Sequence, residues 1–380
     1  MPVYYRDYLQ LDKILNAQVP LSAAQGTPAH DEMLFIIIHQ VYELWFKQIQ
    51  HELDDVLDIF SKEYIDEKQI GIAISRLRRI TEIQKVLVDQ LNVLETMTAL
   101  DFLEFRHLLS PASGFQSVQF REIENKLGVV PERRMRYDKR LYSEHVTPED
   151  RQPIKQSEQN PSLFQLIEQW LERTPYVELQ GFNFWQAYRQ AVEQYLQADR
   201  DTILGNINLT AEEQTKHLDA VEANVDHFAA LFDTSKHNEL IQKGRWRLSH
   251  KATVAALLIH LYRDEPILHL PFRLLTVLID VDELLTSWRS RHALMVHRMI
   301  GAKIGTGGSI GYQYLLATVD KHKIFTDLFN LSTFLIPRSS LPPPPKRSPT
   351  KTRILRPITH HSPFTIHYVP NPKLHQRQVS

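Results

Sequence analysis

The chain has 380 residues, 43% hydrophobic and 23% charged, with a formal net charge of -1, a composition that belongs to globular proteins able to bury a large core, in about two domains by length. The near-neutral balance leaves no overall basic footprint for nucleic acid. The absence of cysteine excludes disulfides, thiolate nucleophiles, cysteine-based zinc sites and iron–sulfur clusters.

The charge is unevenly spread. Residues 339–380 carry seven Lys/Arg and no Asp/Glu, leaving 37 basic against 45 acidic groups before them. The opening residues lack the apolar run of a signal peptide, and the longest aliphatic run, Met33–Ile38, is far too short to span a bilayer. A cytoplasmic protein without membrane association is expected.

Taken in chain order, the long segments show helical periodicity. Asp31 is placed to cap a helix whose apolar stripe runs Leu34, Ile38, Val41, Trp45, Ile49, Leu53, Val56, Phe60. A second stripe, Phe35, His39, Tyr42, Phe46, makes its first half apolar almost all round, as in a buried helix. The next helix runs through Ile70, Ile74, Leu77, Ile80, Leu87, Leu91 and Leu94. Thr98 with Asp101 forms a capping-box pattern for a short helix that Ser110-Pro111 ends. Ser117 starts another, with Gly128 at its C-terminal side.

Residues 129–160 are polar and Pro-punctuated and read as loop. Further helices start near Pro161, Thr210 (with Glu213, a second capping box) and Ser249, and the longest runs from Pro271 to Gly301. No strand set emerges, so an all-α helical bundle is expected. Nine of the 21 prolines fall in residues 339–380, a composition that favours polyproline or disorder. The expected organisation is therefore a folded domain over 1–338 and a basic, Pro-rich, disordered tail over 339–380.

The Pro271–Gly301 helix is the most informative for chemistry. Its stripe reads Leu274, Leu278, Val281, Leu285, Trp288, His292, Met295, Met299, which puts His292 on the buried seam one turn from Trp288. His297 is rotated from it by about 140°. His292 is then either a core histidine bonded to a neighbour or the better candidate to meet a cofactor. His39 sits in an apolar helix, where desolvation keeps an imidazole neutral. The pairs His39/Glu43 and His51/Asp55 are also compatible with carboxylate–histidine metal sites, though neither has the Glu-x-x-His order of bundle di-iron centres. Arg106 shares a face with Phe102 and Leu109, either as a surface group with a buried stem or as a fork awaiting a carboxylate. The stretch Gly301–Gly311 lacks the G-K-[ST] of a P-loop and follows a helix, so a nucleotide site is rejected. A helix-terminating loop whose amides and Thr306 hydroxyl could close over a small polar ligand remains.

Several long runs resemble the tryptophan 2,3-dioxygenase family. They include Tyr8-Leu-Gln-Leu-Asp-Lys13, Phe35-Ile-Ile-Ile-His-Gln40, Tyr42-Glu-Leu-Trp-Phe-Lys-Gln-Ile49 and Leu94-Glu-Thr-Met-Thr-Ala-Leu-Asp-Phe102. Phe105-Arg106, Leu109-Ser-Pro-Ala-Ser-Gly-Phe-Gln-Ser117, Trp170-Leu-Glu-Arg-Thr-Pro175, Gly181-Phe-Asn-Phe-Trp185, Met295-Val-His-Arg-Met299 and Gly305-Thr-Gly-Gly308 follow in family order, covering about residues 4–338. The resemblance implies a haem b (Fe2+) enzyme, a homotetramer built as a dimer of dimers, that converts L-tryptophan and O2 to N-formylkynurenine at the entry to the kynurenine pathway. Carried over by position, the proximal haem ligand falls on His292, with Trp288 beside the cofactor, and the distal histidine on His39. The substrate-carboxylate arginine falls on Arg106 and the loop threonine on Thr306. Phe35 and Phe102 would wall the indole, Ile36, Ile37 and Ile38 complete the substrate segment, and Leu109 and Ser113 lie nearby. Tyr5 and Tyr8 match tyrosines that complete a neighbouring subunit's pocket.

The chain departs from the animal members of that family at Ile38 and Ile310, where hydroxyl residues are usual, and in its tail. Two rival functions are a bis-histidine haem sensor or electron carrier, with His39 and His292 both on iron, and a catalytically silent helical scaffold.

Overall fold

The first two apolar stripes become α4 (Glu32–Phe60) and α5 (Glu67–Leu94), which pack side by side. The computed structural model describes residues 2–130, 146–174, 178–179, 182–303 and 311–342. Against α5 lies the longest helix, α14 (His269–Ile300), 32 residues. Leu53 and Val56 of α4, Leu77 of α5, and Leu274, Leu278 and Val281 of α14 are fully buried. Each such side chain contributes on the order of 1.5–3 kcal/mol relative to exposure, so this three-helix layer dominates the core. A buried amide fixes its register: Gln84 Nε2 donates to the Val281 carbonyl at 3.0 Å. The N-terminal arm, α1 (Tyr5–Leu9) and α2 (Leu11–Leu15), buries none of its residues, and α3 (Leu21–Ala24) leads into α4. There Glu32 accepts hydrogen bonds from the backbone of Leu21 and Ser22.

In α4 the buried apolar positions are Ile38, Tyr42, Phe46, Ile49, Leu53, Val56, Ile59 and Phe60, while Met33, Ile37 and Leu44 are exposed at 41%, 41% and 53%. The helix is thus not buried all round. Its third apolar face has no partner within the described chain.

Local capping explains the boundaries that follow. Both halves of the Thr98/Asp101 box start α6 (Ala99–Arg106), and Ser117 accepts from Phe120 N to start α7 (Val118–Leu127). Gly128 ends α7 at φ 114°, where an added Cβ would lie 2.8 Å from Phe164 Cβ. Only glycine permits both the left-handed turn and the close approach of α9 (Leu163–Glu172). The segment read as loop over 129–160 contains α8 (Pro148–Gln159), because Thr147 caps through Asp150 N and Pro148 occupies the first helical turn, where no N–H is needed. Asp31 occupies the N-cap position of α4 without a side-chain cap bond, and α14 starts two residues before Pro271, continuing a 3-10 turn at Pro266–Leu268.

Beyond a two-residue antiparallel pair, Glu178–Leu179 with Phe182–Asn183, the rest is helical. α10 (Phe184–Leu204) packs on α11 (Ala211–Phe232), which the Thr210/Glu213 box starts. After α12 (Thr234–Gln242), Ser249 caps α13 (His250–Leu261), which packs on α9. α15 (Gly311–Lys321) returns along α14, and α16 (Thr326–Asn330) follows. Asp282 of α14 anchors that return, accepting from the amides of Ile324 and Phe325 at 2.9 and 2.8 Å.

Contacts with the body continue past Arg338. Arg338 pairs with Asp264 at 2.7 Å, Leu341 packs on the core, and the Tyr262 hydroxyl donates to the Pro342 carbonyl at 2.8 Å. Residues 343–380, and with them the expectation of a disordered tail, lie outside the described residues. Among those described, no helix is long and apolar enough to cross a membrane.

Candidate active site

Helices α4, α6, α7, α14 and α15 enclose a cavity of about 280 Å³. Phe35 and His39 come to it from one turn of α4, with ring centroids 4.1 Å apart. Phe102 of α6 stacks on Phe35 at 5.6 Å, and Phe105 closes the cluster edge-on at 5.5 Å from each. Arg106 follows Phe102 by one helical turn, half-buried, and lines the same cavity with Ser113 and Gly114. Opposite, α14 presents Trp288, His292, Met295 and Met299. Trp288 and His292 stack with centroids 5.1 Å apart and planes 10° from parallel.

Both histidines line this space, close enough for His39 to act electrostatically on His292, and they differ in their bonding. His39 Nδ1 lies 2.7 Å from the Phe35 carbonyl. A carbonyl only accepts, so Nδ1 carries the proton and Nε2 keeps a lone pair. His39 is exposed by accessible area, and it lines the cavity. Burial lowers its pKa, opposed by the Phe35 bond and the Glu43 charge. His292 has no hydrogen-bond partner among the described residues. Burial, with a smaller repulsion from His39, lowers its pKa to about 4. Both imidazoles are neutral at pH 7. His297, by contrast, is exposed and stacks on Tyr312 at 4.2 Å.

At the buried end of the cavity Glu124 of α7, 1% exposed, accepts from Arg121 at 2.6 Å, from Arg289 of α14 at 2.7 Å and from His322 Nδ1 at 3.1 Å. Burial alone would raise the Glu124 pKa, but Arg121, His322 and Arg289 hold it well below the ordinary carboxylate value. The Arg121/Glu124 spacing of three residues was visible, but the partners from α14 and beyond α15 were not.

The cavity thus gathers Phe35, His39, Phe102, Arg106, Ser113, Trp288 and His292. Ile36, Ile37, Ile38 and Leu109 do not line it. Successive helical residues turn about 100° from Phe35, which leaves Ile36 half-buried and Ile37 exposed, while Ile38 is a core residue. Tyr5 and Tyr8 are 75% and 76% exposed on the arm. Thr306 and Ile310 lie outside the described residues. The carboxylate–histidine pairs are engaged elsewhere: Glu43 accepts from Gln119 at 2.8 Å and Asp55 pairs with Arg76 at 2.7 Å. Among the described residues no three His, Asp or Glu side chains converge as a metal site.

An imidazole with no hydrogen-bond partner, as at His292, in an apolar, aromatic-walled cavity suits a prosthetic group that brings its own metal. His292, with Trp288 stacked on it, is the residue here that could hold such a group.

Comparison with known proteins agrees. The tryptophan 2,3-dioxygenase family model matches residues 2–335. A tryptophan 2,3-dioxygenase of Dictyostelium discoideum is 53% identical over 90% of this chain and 86% of its own length. One from Bdellovibrio bacteriovorus is 51% identical over 91% and 96%, and tryptophan 2,3-dioxygenase B of Danio rerio 49% over 96% and 86%. With identity of this order running through nearly the whole folded body, the chain belongs to the tryptophan 2,3-dioxygenase family.

Proposed function

We propose that this chain is a haem-dependent dioxygenase that opens the indole ring of L-tryptophan at C2–C3 and places both atoms of O2 in the product, N-formyl-L-kynurenine. The observation that carries this reading is the gathering of two imidazoles, His39 and His292, in one apolar cavity, with Arg106 one turn from the aromatic wall. A haem held in this cavity would supply the oxygen chemistry. His292 would hold the iron. Trp288, Met295 and Met299 give the cofactor an apolar bed.

The remaining residues orient the substrate. The Arg106 guanidinium grips the amino acid carboxylate as a planar fork. Phe35 and Phe102 wall the indole and exclude water. The His39 Nε2 lone pair accepts the indole N–H, so His39 orients the ring and need not remove a proton for attack to begin. By resemblance, the role of contacting the amino acid backbone goes to Thr306. Such positioning is worth several kcal/mol when the reacting atoms are held near contact.

The quaternary reading is a homotetramer, a dimer of dimers. Its support is the arm, where Tyr4, Tyr5, Tyr8 and Leu15 are each more than two-thirds exposed and Tyr5 and Tyr8 are suited to complete a neighbouring pocket. The setting is the cytoplasm.

Purified protein with ascorbate-reduced haem, L-tryptophan and air should form N-formylkynurenine, followed by its absorbance. A ferrous spectrum with both axial sites filled and no product would favour the sensor or electron-carrier reading instead.

A further inference from the structure

The network around Glu124 ends in an atom that nothing in the catalytic reading uses. His322 follows α15, is 1% exposed, and lines the cavity. Its Nδ1 is committed to Glu124, and its Nε2 is buried with no hydrogen-bond partner among the described residues. A buried polar atom left unsatisfied costs about 1–3 kcal/mol, so an unpartnered nitrogen on a residue that lines the cavity marks a place where a ligand atom belongs.

The surroundings say what kind of atom. Two guanidiniums, Arg121 and Arg289, flank one carboxylate, Glu124. Arg289 also donates to the His322 carbonyl at 3.2 Å, which fixes the imidazole backbone to α14. Arg289 precedes His292 by one helical turn, so this corner adjoins the proximal histidine. None of its members comes from α6, which carries Arg106. The cavity therefore has two cationic corners: Arg106 toward the amino acid, and this one on the prosthetic group's side.

We propose that Arg121, Glu124, Arg289 and His322 form an anion-binding corner in which His322 Nε2 contacts a peripheral carboxylate of the haem, taking up one proton from solvent as that carboxylate enters. The inference rests on the haem reading above. The proton is required because Nδ1–H already faces Glu124, so the neutral ring offers only a lone pair at Nε2, which a carboxylate cannot approach. The charged groups facing His322 are Glu124 and Arg121 from α7 and Arg289 from α14. Burial chiefly, and the two arginines, lower its pKa, and Glu124 opposes them. An arriving carboxylate offsets the arginines and favours the imidazolium.

The test is haem release from the holoprotein to excess apomyoglobin, followed by the Soret band. The comparison covers wild type, His322→Phe and His322→Gln, each loaded with haem or haem dimethyl ester. With haem, His322→Phe should release about tenfold faster than wild type. With the ester, the two should release alike. Wild-type release of haem should accelerate as pH rises and the imidazolium is lost, while the non-titrating His322→Gln should show no such dependence. Should His322→Phe fail to fold, wild type alone decides: release of haem and ester at equal rates, with equal pH dependence, overturns the proposal. A Phe effect of the same size with the ester would show that His322 only supports packing. Weakened L-tryptophan binding with unchanged haem release would assign the corner to the amino acid and refute the assignment made here. Haem that is retained only with His292, yet released without regard to His322, sinks this inference and leaves the haem reading standing. No haem binding at all would remove both.

Discussion

Replacement of Arg106 separates substrate gripping from structure. The residue is half-buried, one helical turn from Phe102, on the rim of an aromatic cavity. An exposed ion pair is worth about 0–1 kcal/mol, and breaking a buried, hydrogen-bonded pair costs about 3–5 kcal/mol. Half-burial puts Arg106 between these limits, at about 2–4 kcal/mol, or a fall of roughly 30- to 1000-fold in kcat/KM for Arg106→Ala. Arg106→Lys should recover only part, since an ammonium cannot reproduce the bidentate fork. Haem content, read from the Soret band per protein, should be unchanged in both. Tryptamine, which lacks the carboxylate, should be a poor substrate for wild type and should lose little more in Arg106→Ala. Equal slowing of tryptophan and tryptamine by the mutation would refute the gripping role and make the arginine structural.

Four further outcomes follow from the geometry. His292→Ala should abolish stoichiometric haem binding, whereas His297→Ala, on the exposed face beside Tyr312, should retain it; equal Soret loss in both would exclude His292 as the ligand. Because burial depresses the His39 pKa, its Nε2 lone pair stays available at neutral pH and is lost only as pH falls below the ordinary histidine value of 6.5. The acid limb of log kcat/KM should therefore lie below pH 6.5 and vanish in His39→Ala, and a limb above that pH would contradict the assignment. Gly128→Ala meets Phe164 and Ser162 at φ 114° and should lower stability by about 2–3 kcal/mol, seen as a lower Tm with the kcat/KM of the folded enzyme unchanged. Truncation after Pro342 should leave Tm and turnover near wild type, while truncation after Tyr262's partner segment is also removed, at Pro337, should lower Tm by a measurable amount.

The caps at Thr98, Ser117, Thr210 and Ser249 were legible because a cap is decided by residues three apart. The α14 stripe likewise identified which of two nearby histidines turns inward, since one helix face suffices for that. What the sequence hid was of two kinds. Helix α8 was masked by Pro148 and Pro153 and a polar composition, although a proline in the first turn favours a helix start. The Glu124 cluster was invisible because its partners stand 165 and 198 residues away in the chain, and no local pattern encodes such a meeting. The resemblance put Ile36–Ile38 in the substrate segment; in α4, helical rotation sends these three consecutive side chains to three different places.

The backbone bond that holds His39 has a consequence for how this pocket can be altered. The acceptor is the carbonyl of Phe35, while the ring of the same residue forms the surface against which the imidazole packs. Shape and protonation are thereby written in separable parts of one residue. Exchanging the Phe35 side chain re-contours the recess beside the indole, but the carbonyl that dictates the tautomer survives any such exchange. His260 repeats the arrangement on the Ala256 carbonyl at 2.9 Å, where the acceptor residue has almost no side chain, so the lock does not depend on what that residue is. A laboratory search for acceptance of substituted indoles can therefore randomise position 35 freely, without scrambling the hydrogen-bonding polarity of the distal imidazole.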